Sequence, residues 1–204
     1  MTPRPDRWNR YWDGKSRGYD REMQFLDRKL FGDSRAWACG QATGNALEVA
    51  VGTGLNLPLY PDDVNLTGID LSDGMLDIAR GRAERLGHTV TLQRANAHDL
   101  PFEAESFDTV LCTLGLCAIP DDGKALEEMV RVLRPGGRLI LLDHVASTSR
   151  VVRGLQWITE KVTVPMAGEH FLRRPLSKIT ALGLTVEDRQ RFKLGLVERL
   201  VARK

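Results

Sequence analysis

From residue 46 onward, short runs rich in branched and aromatic residues alternate with stretches of helical periodicity, the pattern of a mainly parallel sheet covered by helices. Strands are predicted at 47–51, 65–70, 89–94, 107–113, 138–144, 184–192 and 196–202, and helices at 72–86, 122–133, 150–162 and 175–182. Ser72 or Asp73 provides an N-cap for the first of these helices, and Gly87 closes it. Arg134-Pro135-Gly136-Gly137 reads as a stop and turn before the fifth strand. The link Lys193-Leu194-Gly195 is too short for a crossover, so the last two strands should pair antiparallel at one edge. The first 40 residues differ: Trp8, Tyr11, Trp12, Tyr19, Met23, Leu26 and Leu30 recur at steps that mostly fit helices with one apolar face. We therefore divide the chain into an N-terminal helical segment, 1–40, and a main domain, 41–204. The apolar face of the first part suits core packing, a lid over a ligand or contact with a membrane surface.

With 204 residues, 42% hydrophobic and 27% charged, the chain fits one soluble domain of ordinary size. No apolar run reaches the roughly 18 residues of a membrane span, and MTPRPDRWNR lacks a signal-like apolar stretch. The expected location is cytoplasmic. Cys39, Cys112 and Cys117 form an odd set without a CxxC pair, which suggests neither a disulfide framework nor a metal site. The net charge of +2 hides a pattern. Residues 1–35 hold nine Lys/Arg against six Asp/Glu, 36–144 eight against sixteen, and 145–204 twelve against five. An acidic middle between basic ends fits a solvated surface, or ends that face an anionic surface at the membrane periphery.

The candidate chemistry starts in ALEVAVGTGLNLPLYP, residues 46–61. In an open parallel sheet, ligands bind beyond the carboxyl ends of the strands, and the first strand-turn is the usual place. Gly52 and Gly54 let a ligand approach the backbone there. GxGxxG counted from Gly52 puts Leu57 at the third glycine, and no Gly-Lys-Ser/Thr follows, so neither a dinucleotide fingerprint nor a Walker loop is present. Pro58 and Pro61 allow at best a broken helix after Asn56, a poor phosphate anchor. Asp70 lies 18 residues beyond Gly52, near the interval at which an acidic residue accepts ribose hydroxyls. Glu48 places a carboxylate inside the first strand, where it needs a cation or several donors. Adenosine joined to an amino acid, as in S-adenosyl-L-methionine, fits these groups better than NAD or ATP.

The order of motifs then resembles the class I S-adenosylmethionine-dependent methyltransferases over residues 20–204. LEVAVGTG, LTGIDLSDGML, RANAHDLPFEAESFDTVLCTLGLCAIPD and VLRPGGRLILLDHV carry the likeness. It implies an α/β, three-layer, Rossmann-like fold with a seven-stranded sheet in the order 3-2-1-4-5-7-6, strand 7 antiparallel. It also implies S-adenosyl-L-methionine as cofactor, with S-adenosyl-L-homocysteine as product. Glu48 would reach the methionine ammonium through backbone or water, Gly52 and Gly54 would line the cofactor, and Asp70 would hold the ribose. Leu71 and Met75 would pack the adenine, with Asn96 on its amine and the Ala97 N–H on a ring nitrogen. Asn56, His98, Thr113 and Leu114 join this cofactor set, and Tyr19 would fold over it from the N-terminal segment. Ala50 stands where the family's motif has its first glycine, and its methyl is expected to suit a strand-end dihedral.

Within that class the pattern resembles small phospholipid N-methyltransferases, their ubiquinone/menaquinone-type relatives and alkyl-thiol methyltransferases. The acceptor is then a small, lipophilic amine, thiol or quinol-like molecule, methylated at N, S, O or activated C. His144 and His170 are candidates for substrate contact or general base, each against a structural role. Arg173-Arg174 suits either a phosphate contact or a solvated helix start. The alternatives are a cofactor-binding regulatory module and a nucleic-acid methyltransferase. The second is disfavoured by the lack of an NPPY-like motif and of a Pro-Cys pair. Monomer and homodimer both remain open.

Overall fold

The computed structural model describes residues 5–204. Residues 1–4, the start of the 1–40 segment and of MTPRPDRWNR, lie outside the described residues. Seven strands form one sheet in the order β3-β2-β1-β4-β5-β7-β6. They are β1 Asn45–Val49, β2 Asn65–Asp70, β3 Thr91–Arg94, β4 Phe107–Thr113, β5 Leu133–His144, β6 Thr185–Phe192 and β7 Val197–Arg203. β1 to β5 run parallel, and β7 is antiparallel to both β5 and β6. This is the architecture expected from the sequence. The central strands read as nearly continuous apolar runs because helices cover both faces, and Leu47, Val49, Val110, Leu139 and Ile140 have no exposed surface.

The helices are α1 Pro5–Leu26, α2 Ser34–Cys39, α3 Asp73–Leu86, α4 Asp122–Val132, α5 Arg150–Ala167 and α6 Pro175–Ala181. Ser72 caps α3 by accepting from the Met75 N–H, and Gly87 ends it at φ 65°. Ser149 and Asp121 do the same service at the starts of α5 and α4. Beyond shifts of one or two residues at element ends, three features differ from the sequence reading. α5 continues past Val162 through Pro165 to Ala167, because a proline removes the bond to the carbonyl four residues back, and Lys161 there lies on the exposed side where water can serve it. β5 begins at Leu133, and Arg134 to Gly137 form an irregularity within its pairing with β4. A π-helical turn, Asp27–Phe31, follows α1. The wider turn rotates the chain about its axis, so Phe31 is buried while Leu26, expected on the apolar face, is exposed.

Candidate active site

The carboxyl ends of β1, β2, β4 and β5 converge on one end of the sheet. After β1, the chain turns sharply through Ala50 (φ 59°), Gly52 (φ 56°) and Gly54 (φ 75°). Ala50 corrects the sequence reading: it does not occupy a strand-end dihedral but the left-handed region that costs a side chain roughly 1–2 kcal/mol. A Cβ added at Gly52 would meet nothing within 4 Å, whereas one at Gly54 would strike Leu57 and Ala79. Gly52 thus keeps the open side of the turn free, and Gly54 lets the turn pack onto the 3₁₀ turn Leu57–Leu59 and α3.

Asp70, at the end of β2, accepts from the Gly52 N–H and from the Ser72 N–H, each at 2.9 Å. One carboxylate therefore fixes two loops that face the open side of Gly52. Burial pushes its pKa up, against the pull of these backbone donors.

Glu48 is 1% exposed. Its Oε1 accepts from Asn56 Nδ2 at 2.6 Å and its Oε2 from Tyr60 OH at 2.8 Å. Asn56 Nδ2 also donates to Thr113 Oγ1, and Asn56 Oδ1 accepts from Arg35, which is itself paired with Asp27. A hydrogen-bonded chain thus runs from the π turn to the middle of the sheet, and it occupies the side chains of Glu48, Asn56 and Thr113. Burial raises the Glu48 pKa to about 7 despite the Tyr60 and Asn56 donors. The folded value lies above the unfolded one, so burying the anion costs stability that appears as pH rises from about 4.5 toward 7 and is absent below. Glu48→Gln should stabilise the free protein at pH 8 by an amount on the order of 2–3 kcal/mol and leave it unchanged near pH 4. Urea melts at the two pH values check this; equal effects at both would mean that the charge is not the cause.

α1 closes over this end. Asp13 Oδ1 accepts from Ser72 Oγ and from the Gly74 N–H, while Asp20 accepts from Thr53 Oγ1 at 2.6 Å and pairs with Arg82. Two carboxylates of one helix therefore hold the loops after β1 and β2. Tyr19, like Leu55 and Leu114, packs against the small core of Met23, Phe31, Leu142 and Val197, and burial raises its pKa, so its hydroxyl stays protonated. Trp12 meets Tyr11 and Tyr19 edge to face, and Trp8 lies against Gly168, where a Cβ would come within 2.9 Å of the indole. Asp13 and Asp20 were not legible in the sequence as site residues; their seven-residue spacing on one helical face is the only signal.

Beyond the ends of β2 and β3, Met75 is buried in the first turn of α3 and Leu71 lies between Asp70 and Ser72. Asn96 Oδ1 accepts from the His98 N–H, an Asx turn that orients the loop. Ala97 packs on the main core, and His98 Nε2 accepts from the Asp121 N–H at the α4 cap. His98 therefore serves the start of α4 with its ring. Leu114 follows β4 at φ 53° and packs against the same small core as Tyr19.

On the β5 side, the His144 ring stacks on Phe171 with centroids 4.5 Å apart, and its Nδ1 is buried without a hydrogen bond. Asp143 accepts from the Cys117 N–H at 3.0 Å and from the His144 N–H at 2.8 Å. Cys117, Asp143 and His144 bring potential ligand atoms within 4.8 Å of one another. Each oxygen of the carboxylate accepts one of these two N–H groups, and burial holds the Cys117 thiol well above its usual pKa and so protonated. His170 joins through its backbone, donating to the Cys117 carbonyl, and burial with the nearby Arg173 lowers its ring pKa. Glu169, missed in the sequence although adjacent to His170, has its pKa raised by burial, with His144 and Lys15 opposing. The site thus has a neutral imidazole, an unused buried ring nitrogen and a carboxyl close to both.

An open parallel sheet with one antiparallel strand inserted beside its edge, a glycine turn after β1 and an acidic residue ending β2 define a Rossmann-like methyltransferase. Residues 47–141 match the model of a family described as a methyltransferase domain. The chain is 42% identical over 105 residues to a phosphatidylethanolamine N-methyltransferase of Cereibacter sphaeroides, covering 50% of this chain and 52% of that protein. It is 32% identical over 166 residues to the ubiquinone/menaquinone biosynthesis C-methyltransferase UbiE of Geotalea daltonii, covering 74% of this chain and 68% of that one. The matches thus span between about half and two thirds of these two relatives. A SAM-dependent methyltransferase from Aquifex aeolicus shares the fold, with a TM-score of 0.64, 18% identity and coverage of 87% of this chain and 92% of its own. The chain belongs to the class I S-adenosylmethionine-dependent methyltransferases. The methyl donor of that family is S-adenosyl-L-methionine. Among the described residues no helix is long and apolar enough to cross a membrane.

Proposed function

We propose that the chain transfers the sulfonium methyl of S-adenosyl-L-methionine to a nucleophilic atom of a small lipophilic acceptor taken from an anionic lipid surface. The cofactor supplies an electrophilic methyl when bound, so the protein's part is to position, to exclude water and to accept a proton. The open side of Gly52 leaves room for the donor, and Asp70 stands where ribose hydroxyls add donors to a carboxylate that burial disfavours. α1, with Asp13, Asp20 and Tyr19, acts as the lid, and residues 1–40 are its segment. His144 holds an unpartnered ring nitrogen at the end of β5 and takes the acceptor's proton; His170, kept neutral, and Glu169 are its neighbours.

The observation that carries the lipophilic acceptor is α5. Val151, Leu155, Ile158, Val162 and Met166 follow one helical stripe and are each between 58% and 76% exposed, with Trp157 also exposed beside them. Arg150 and Lys161 lie along one side of the stripe, and Lys161 lies over the Trp157 ring at 4.6 Å. The only acidic residue of the helix, Glu160, is turned inward onto the Phe171 and Leu172 N–H groups. An apolar stripe with a cationic edge suits the plane of an anionic membrane, and α5 starts six residues beyond His144.

The test is incubation of the protein with methyl-labelled S-adenosylmethionine and a total lipid extract, followed by phase partition. Protein-dependent label is expected in the organic phase. A Leu155→Ser/Ile158→Ser/Val162→Ser variant, altered only at exposed positions, should lose about tenfold or more of that signal, since each buried side chain is worth roughly 1.5–3 kcal/mol. Label that enters only water-soluble products, or an unaffected variant, would overturn the lipid-surface reading.

A further inference from the structure

A cavity of about 320 Å³ opens beside the active end of the sheet, lined by Arg153, Arg173, Arg174, Arg189 and Arg191. They come from the first turn of α5, the segment before α6 and the edge strand β6. The loop 145–148 closes another side, and Val145 and Arg173 also line a narrow crevice with Cys117, Asp143 and His144. Glu198 is the only carboxylate in the lining. It is nearly buried and accepts from Arg189 Nε at 3.0 Å and Nη2 at 2.8 Å, with Arg191 Nε 3.4 Å away. Five guanidiniums thus face one anion.

Besides Arg189, which pairs with Glu198, three of the five are held as a scaffold. Arg173 donates to the Leu116 and Ile119 carbonyls and lies 3.5 Å from Asp122. Arg191 donates from Nη2 to the Ala146 and Gly195 carbonyls at 2.6 Å each, while its Nε is buried and has no hydrogen bond. Arg153 donates to the Ser147 carbonyl from one terminal nitrogen. Arg174 differs: it is exposed, and its backbone carbonyl, not its side chain, is engaged, by Ser177. Burial lowers the Arg191 pKa against the pull of Glu198, and the Arg189 and Arg174 charges push it the same way as burial. Holding like charges around one space costs free energy unless an anion enters it. Several forked donors arriving from different directions match the tetrahedral oxygens of phosphate better than a planar carboxylate.

We propose that this cavity binds the phosphate group of a small ligand, a phosphomonoester or phosphodiester, with Arg174 as the free contact, Arg189 shared with Glu198, and Arg173 and Arg191 as fixed walls. The site goes beyond the methyl-transfer reading and does not depend on which atom is methylated.

Calorimetric titration of the full chain tests it, with inorganic phosphate, glycerol 3-phosphate and dihexanoylphosphatidylglycerol below its micelle concentration, all at one ionic strength fixed with sodium chloride. Saturable binding of at least one probe is expected. Arg174→Gln should weaken it about tenfold, and Arg174→Gln/Arg189→Gln about a hundredfold, as loss of charge-assisted hydrogen bonds implies. Arg85→Gln, an exposed change on α3, should leave it unchanged, and melting curves confirm that each variant is folded. Tighter binding of the short-chain lipid than of the other two identifies a lipid headgroup; equal binding of inorganic phosphate identifies the free anion. Absence of saturable binding by all three, or equal affinity in the double variant, overturns the site. Because no cofactor or acceptor is present, neither result depends on methyl transfer.

Discussion

Asp70→Ala is expected to abolish the thermal shift that S-adenosylhomocysteine gives the wild-type protein, with affinity reduced by about a hundredfold or more. On the proposed function, two ribose hydroxyls on this one ionised acceptor would contribute a few kcal/mol through hydrogen bonds to a charged group, each roughly 1.5–3 kcal/mol. The same carboxylate also receives the Gly52 and Ser72 N–H groups. Removing it leaves two amides without their acceptor and frees the glycine turn from the start of α3, so the melting temperature of the free protein should fall as well. Asp70→Asn separates the two effects, since its amide oxygen keeps one of the backbone bonds but not the charge. A thermal shift with S-adenosylhomocysteine equal to that of wild type in Asp70→Ala would remove Asp70 from the cofactor site.

The second large effect is expected at Gly115. A Cβ there would lie 2.6 Å from the Ala50 Cβ, well inside contact distance, and neither backbone can yield easily. Gly115→Ala should cost about 1–3 kcal/mol, the usual range of overpacking in a filled interior. Ala50→Gly in that background should recover most of it, because it removes the clashing methyl and the left-handed strain at φ 59° together. Ala50→Gly alone should stabilise the protein by up to about 1 kcal/mol. Urea unfolding of the four proteins measures the coupling; strictly additive values would show that the two positions do not touch.

These two sites also mark how far the sequence could be read. Strand order, the β6–β7 hairpin, the Ser72 cap and the Gly87 stop follow from local pattern and short links, so they were legible. Asp70 was legible as a candidate because its distance from Gly52 along the chain is fixed by one strand-turn-strand unit. The dihedral of Ala50 was not, since nothing local in LEVAVGTG distinguishes a strand end from a left-handed turn. The continuation of α5 past Pro165 was hidden because its cost depends on whether the orphaned carbonyl meets water. The partners of Glu48 illustrate a third limit. Asn56 and Tyr60 stand close in sequence, yet which side chains a buried carboxylate recruits depends on packing. Asp13 and Asp20 reach loops 33 to 61 residues away, and no periodicity encodes such a bond. The arginine cavity is likewise assembled from three separate elements, and only Arg173-Arg174 stood out as a pair.

The hold of α1 on both loops has a kinetic consequence. Asp13 and Asp20 bind Ser72, Gly74 and Thr53, which frame the space open at Gly52, so on the proposed function the donor enters only while this helix is detached. Turnover then follows a compulsory order, donor first and spent donor last. S-adenosylhomocysteine should compete with S-adenosylmethionine in steady-state inhibition but not with the acceptor, and helix detachment would set the ceiling on the rate.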